Sequence, residues 1–508
     1  MLSIINSCCV YGMFGHPIQV EVDVSEGLPG FDIVGLPDTS VKESKERVRT
    51  AIKNSGYKFP MKRITVNLAP ADLKKEGPLF DLPIAIGILT ATGQIPNNER
   101  IKISAMVGEL SLDGKVRPVP GVLAMSDRIS RLEEVRYFLV PEENAGEAAL
   151  IKGTTVYPVG YLRDLVRFFH NEYDIMPVEV DVEQLLKETY GESSLDMCEV
   201  KGQQGVKRAL EVAAAGSHNI LLSGSPGSGK TMLARRLPSI LPSITLEESL
   251  ELTRIYSIAG LLPKNQALIT QRPFRAPHHS ASTASLIGGG KIPRPGEISF
   301  ACHGILFLDE MAEFQKTILE ALRQPMEDKF VTITRVEATY SFPAKFQLVG
   351  SLNPCPCGFY GDPVKECTCT PHQIHKYLSR ISGPLLDRID IRIDVPRVEY
   401  QDLSSDAQEE PSAKIRQRVE IARQIQKERL AGTGIVCNAH MERKQIQQFC
   451  LLSPDAKKLL QEAFNRLKLS ARSHDRILKV ARTIADLEQS TIIQLHHIAE
   501  AIQYRGSV

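Results

Sequence analysis

Gly224-Ser225-Pro226-Gly227-Ser228-Gly229-Lys230-Thr231 carries the most specific chemistry in the chain. The apolar run Ile220–Leu222 before it reads as a buried strand, and Met232 onwards reads as a helix. Strand, glycine loop and helix, in that order, are the context in which this spacing binds phosphate. Glycines let backbone N–H groups turn inward around phosphate oxygens, and the helix start adds partial positive charge. The pattern assigns all eight residues to a nucleotide, with Lys230 on the β- and γ-phosphates and the Thr231 hydroxyl on Mg²⁺. A second short apolar strand ends in Asp309-Glu310. Asp309 there helps hold the metal, and Glu310 polarises the water that attacks the γ-phosphate. A third strand, Phe346–Leu352, ends at Asn353, placed to hold the lytic water or the γ-phosphate.

Two further clusters carry possible chemistry. Cys355-Pro-Cys357 and Cys367-Thr-Cys369 flank a loop containing Gly358, Gly361 and Pro363. Four thiolates on such a loop suit tetrahedral Zn²⁺ of the structural kind, with His372 as a spare ligand; free cysteines in a Gly/Pro-rich loop are the alternative. The other cysteines read as ordinary thiols. The stretch between Lys230 and Asp309 holds Lys291 and Arg294 among glycines and prolines, which predicts a mobile, basic, exposed loop. Phe330–Thr334 and Ala338–Phe342 read as a β-hairpin with Arg335 near its tip. The neighbours His278 and His279 suit a structural or interface role better than a metal, since adjacent side chains seldom converge on one ion.

These residues need a large scaffold. The length of 508 residues suggests about three domains. With 61 Lys and Arg against 60 Asp and Glu, any nucleic-acid surface must come from local patches. No positive charge precedes Lys42, and no apolar run approaches the ~20 residues of a membrane span. A cytoplasmic protein with reduced thiols is expected. Residues 1–170 read as an α+β domain: a strand at Ile18–Val24, a helix at Ser40–Ser55, a strand at Arg63–Leu68, an apolar helix at Leu82–Thr92 and a hairpin turn at Asp113-Gly114. Residues 171–195 read as an acidic linker, 196–398 as the nucleotide-binding core and 399–508 as a helical lid.

Several runs add a resemblance: Gly35–Asp38, Val41–Ser44, Asn67–Asp72, Pro295–Ser299, Asn353–Cys357 and Ala481–Asp486. With the phosphate loop, they look like the ComM/YifB-type proteins of the Mg-chelatase-like AAA+ ATPases, and the likeness covers essentially the whole chain. It implies an α/β fold with a P-loop AAA+ core, an N-terminal α+β domain like the Lon protease domain (S5-like) and a C-terminal helical lid. It also implies that Val200–Gln203 lies along the adenine and that the Arg335 hairpin projects into the central pore of a ring. There a basic tip with Lys291 and Arg294 would grip DNA phosphates without reading bases. Arg388 resembles the family's arginine finger, with Arg380 as runner-up; Arg472 resembles the lid arginine that returns to the γ-phosphate, with Arg476 close behind.

The function implied is a hexameric ATP-driven helicase that migrates branched DNA during natural transformation. The alternative is a chelatase-type ATPase that remodels a protein client. Peptidase chemistry is disfavoured. The Lon-type nucleophile and base positions, after Gly77-Pro78 and Pro120-Gly121-Val122, hold Leu79 and Leu123.

Overall fold

A computed structural model describes residues 2–188, 195–264, 266–290, 293–335, 339–398 and 409–505. The chain forms two compact units, Met1–Tyr190 with Leu246–Thr270, and Gly191–Thr245 with Gln271–Val508.

The first unit is built on a seven-stranded mixed sheet. Its strand order is Gly30–Val34, Arg63–Ala69, Phe14–Ser25, Leu2–Tyr11, Ser104–Met106, Tyr137–Pro141 and Thr155–Val159. Ile18, Val20, Val22 and Val24 are buried on one face of Phe14–Ser25, as the period-two pattern demands. Helices occur at Thr39–Asn54, capped by the Asp38 side chain, and at Asp81–Ala91, where every residue is buried. The expected hairpin around Asp113-Gly114 is present, pairing Glu109–Leu110 with Val116–Arg117. Leu79 packs in the core of this unit, and Leu123 is buried against Leu150 and Leu268.

Two boundaries differ from the sequence reading. Leu246–Thr270, expected in the nucleotide-binding core, joins the first unit. Its helix Leu246–Ala259 lies against the helix Val122–Ile129, where Arg254 pairs with Asp127 at 3.2 Å and Gly121 N–H donates to Ser257 O at 3.0 Å. Part of the expected linker is also structured. Val178 N–H bonds Val156 O at 3.0 Å, and Leu185 and Leu186 of the helix Val182–Glu188 pack on the Leu123 cluster. Apolar side chains with a partner surface order a segment whose local composition looks loop-like.

The second unit holds a five-stranded, all-parallel sheet in the order Phe274–Arg275, Ile305–Leu308, Gln347–Leu352, Ile220–Ser223 and Ile391–Asp394. Parallel strands covered on both faces read as unbroken apolar runs, and Ile305–Leu308 and Gln347–Leu352 are buried throughout. The helices Gln204–Gly216, Ser412–Arg429 and Ala471–Leu487 share its core. Arg482, on the lid helix Ala471–Leu487, is buried rather than solvated. It is 1% exposed, pairs with Asp486 at 3.1 Å, and Arg429 closes on the same carboxylate at 2.6 Å. Among the described residues no helix is long and apolar enough to cross a membrane.

Candidate nucleotide site

The C-terminal ends of parallel strands bring their following loops to one edge of a sheet. Ser223 lies opposite Leu352, and Leu308 opposite Gly350. This register sets the phosphate loop between the loops that carry Asn353 and Asp309. Lys230 Nζ donates to Gly224 O at 2.7 Å, Ser225 O at 3.0 Å and Asn353 Oδ1 at 3.2 Å. The Thr231 hydroxyl donates to Asp309 Oδ2 at 2.9 Å. Burial pulls the Lys230 ammonium below its ordinary range, partly offset by Asp309 and Glu310. Gly229 sits at φ +90°, a conformation that turns its backbone into the loop and that glycine adopts without a Cβ penalty.

Ser351 was not anticipated. Its hydroxyl donates to Asp309 Oδ1 and accepts the Glu310 N–H at 2.9 Å, fixing both acidic residues. A signal was present: one buried serine in an apolar strand, two residues before Asn353 and so on the same face. Glu310 is exposed and held at φ +50°, which costs a non-glycine residue on the order of 1 kcal/mol.

Gln203 also anchors the loop. Its Nε2 donates to Ser228 O and Pro396 O, each at 2.8 Å. Gln203 Oε1 and Ser228 Oγ are buried without a protein partner. Orphaned polar atoms beside a phosphate-binding loop fit a bound polar ligand, and the Thr231–Asp309 oxygen pair is a hard donor set suited to Mg²⁺.

Arg388 and Arg472 stand elsewhere. With Glu327, Lys329, Asp390 and Arg476 they line a pocket of about 260 Å³ that no phosphate-loop residue touches. The reason is topological. Asp390 accepts the Asn219 N–H, and Arg388 O accepts from Asn219 Nδ2, at the N-terminal ends of Ile220–Ser223 and Ile391–Asp394. A strand of that length spans roughly 13 Å. The pocket and the phosphate loop thus occupy opposite edges of one sheet, so Arg472 does not return to this chain's own phosphate loop. Arg476 is committed to Asp390 at 2.6 Å. Burial alone would raise the Asp390 carboxyl, but Arg476 and His218 outweigh it and hold it well below the usual range. Arg388 is 7% exposed, paired with Glu327 at 2.5 Å, and donates to Pro384 O at 2.7 Å. Arg380 donates to Ala312 O and pairs with Glu313 at 2.9 Å, next to the acidic strand end.

The two basic segments meet. Gly288–Gly289 pairs with Arg294–Pro295 as a small hairpin, and Arg335 Nη2 donates to Gly290 O at 3.2 Å. Strands Phe330–Thr334 and Thr339–Pro343 form the expected longer hairpin. Arg294 and Arg335 are exposed, and Lys291 lies outside the described residues.

The four cysteines converge. Cys355, Cys357 and Cys367 sulfurs are 3.3, 3.7 and 3.6 Å apart, and all four lie within 4.8 Å of one another. Tetrahedral Zn–S bonds of about 2.3 Å place sulfurs about 3.8 Å apart. Backbone N–H groups of Phe359 and Thr368 aim at Cys357 and lower its thiol to about 6. His372 is not part of the group. Cys437, read as an ordinary thiol, is buried with Sγ 3.2 Å from His440 Nδ1. Burial opposes its ionisation, but His440, with Arg423 and Lys329, outweighs it and brings the thiol down to about 5.

Fold and site together define a P-loop nucleotide-binding protein of the AAA+ type. Family models match in three stretches: "Subunit ChlI of Mg-chelatase" over residues 20–144, "Magnesium chelatase, subunit ChlI" over 196–403, and "Magnesium chelatase, subunit ChlI C-terminal" over 409–505. The chain is 44% identical to competence protein ComM of Haemophilus influenzae, covering 100% of this chain and 98% of that protein. It is 44% identical to YifB of Escherichia coli over 99% of this chain and 97% of that one. Lon protease 2 of Bacillus subtilis is 27% identical over 30% of this chain and 29% of its own length. The chain belongs to the ComM/YifB-type, Mg-chelatase-like AAA+ family.

Proposed function

We propose that the chain is an ATP-driven, ring-forming DNA motor that promotes branch migration of recombination intermediates during natural transformation in the cytoplasm. The observation that carries this reading is the division of charge between the two edges of the sheet. Lys230, Thr231, Asp309 and Asn353 form one half of a hydrolytic site, while Arg388 and Arg472 share a pocket at the other edge. A ring of six copies joins the second half of one subunit to the first half of the next. The likeness to competence protein ComM of Haemophilus influenzae supports the link to competence.

In this mechanism the phosphate-loop backbone and Lys230 bind the β- and γ-phosphates, and Lys230 exchanges its carbonyl partners for phosphate oxygens. Thr231 and Asp309 would hold Mg²⁺, which supplies neutralisation of the phosphate charge. Glu310, oriented through Ser351, accepts the proton of the attacking water, and Asn353 holds that water or the γ-phosphate. Arg388 and Arg472 of the adjoining copy offset the charge that develops in the transition state. Before it acts, Arg388 must exchange Glu327 for phosphate. Arg294, Arg335 and Lys291 grip DNA phosphates, and Cys355, Cys357, Cys367 and Cys369 would hold Zn²⁺ as a structural tie.

A second reading, a chelatase-type ATPase that remodels a protein client, is favoured by the three Mg-chelatase family matches along the chain. ATP turnover measured with no DNA, with linear duplex and with a four-way junction separates the two. Junction-stimulated hydrolysis with ATP-dependent loss of the junction is expected of the DNA motor. An ATPase indifferent to DNA that leaves the junction intact selects the remodeller.

A further inference from the structure

The loop between the two cysteine pairs is built onto the phosphate loop. Cys355 follows Asn353 by two residues, so the loop begins where Lys230 is held. Gly358 then lies directly on Pro226. A Cβ at this position would come within 2.5 and 2.6 Å of the Pro226 ring carbons, and its φ is +85°, so only glycine allows the approach. Asp362 fixes the loop itself: its carboxylate accepts the N–H groups of Val364 and Lys365 at 2.9 Å each and pairs with Arg397 at 2.8 Å, and the Ser225 hydroxyl of the phosphate loop helps hold this carboxyl below its ordinary range. The Asp362 side chain is 0% exposed. Arg397 and Lys365 also lie near the Phe359 ring, with Lys365 4.1 Å from its centroid.

Pro226 and Ser225 are variable positions of the phosphate-binding pattern, and the segment held between the cysteine pairs supplies neighbours for both. We infer that the four-cysteine centre is a zinc-dependent brace of the phosphate loop, so that zinc occupancy and nucleotide affinity are thermodynamically coupled. This rests on the Zn²⁺ reading given above. A metal that closes the two cysteine pairs makes its binding energy part of the local folding energy. Without it, Gly358–Glu366 is an ordinary Gly/Pro-containing loop, and the surface under Ser225 and Pro226 is no longer held in place. Linkage then requires the converse: nucleotide that orders the phosphate loop must tighten zinc binding by the same factor.

The test uses full-length protein prepared under reducing conditions. Metal analysis comes first, and about one zinc per chain is expected. A preparation that binds nucleotide but holds no zinc overturns the zinc reading and the coupling with it. Zinc affinity is then measured at equilibrium, by competition with a zinc-selective chelator that leaves Mg²⁺ in place, with and without a non-hydrolysable ATP analogue. Several-fold tighter zinc binding with the analogue is expected, and equal affinities with zinc present overturn the coupling alone. Because cysteine variants risk misfolding, Asp362→Ala is the second arm. It leaves all four sulfurs, so zinc content should stay at the wild-type level while affinity for a fluorescent ATP analogue falls about tenfold. Unchanged affinity in this variant also overturns the brace.

Discussion

Lys230 Nζ and Asn353 Oδ1 meet at 3.2 Å although 123 residues separate them in the chain. The contact joins the segments that follow two adjacent strands of the parallel sheet at their C-terminal ends, and it places the Lys230 ammonium beside the residue proposed to hold the lytic water. Because the ammonium is buried among backbone carbonyls, comparing the two substitutions should separate binding from chemistry. Lys230→Ala should abolish nucleotide binding or hydrolysis. Asn353→Ala should leave ATP affinity within a few-fold and lower kcat about 10²-fold, in the range seen for loss of one preorganised polar group. Equilibrium binding and steady-state turnover of both variants check this, and retained turnover in Lys230→Ala sinks the site assignment.

Arg388 is predicted to act on a neighbour. Arg388→Ala should bind ATP almost normally and lose hydrolysis, at a cost of roughly 10³-fold or more. Mixing it with Lys230→Ala protein creates ring interfaces that carry both an intact phosphate loop and an intact arginine. ATPase activity that reappears on mixing supports action between subunits. A mixture as inactive as its parts counts against it.

Arg335 and Arg294 are exposed and adjoin one glycine-rich turn, so both are predicted phosphate contacts. Each alanine variant should weaken DNA binding equally for unrelated sequences and lower the slope of log K against log salt by about 1. Titrations at several salt concentrations measure this. An unchanged slope removes the residue from the DNA interface.

Glu147 gives the first unit a pH dependence. It is 4% exposed, accepts from Asn144 at 3.1 Å, and burial raises its carboxyl to about 7. Folding therefore favours the protonated form. This contribution is fully present below pH 4.5, declines as pH rises, and is spent once pH passes 7. The loss amounts to roughly 3 kcal/mol. Glu147→Gln keeps the shape and removes the titration. Its melting temperature should gain on that of the wild type between pH 5 and 8; a constant difference refutes the assignment.

The phosphate loop, the Asp309-Glu310 strand end and the paired cysteines were legible in the sequence because their chemistry depends on spacing within a short segment. Alternation in Ile18–Val24 and the helical character of the lid were legible for the same reason, although the strand begins four residues earlier, at Phe14. The sheet decided what no local pattern holds. Strand register brought Ser351 to Asp309 and Asn353 to Lys230, and it set Arg388 and Arg472 at the far edge from the phosphate loop. Packing moved Leu246–Thr270 out of the core that its position in the chain suggested and buried Arg482 against Asp486. Spacing along a backbone is fixed by its covalent geometry, whereas contacts between distant segments depend on which strands pair and which apolar faces find a partner.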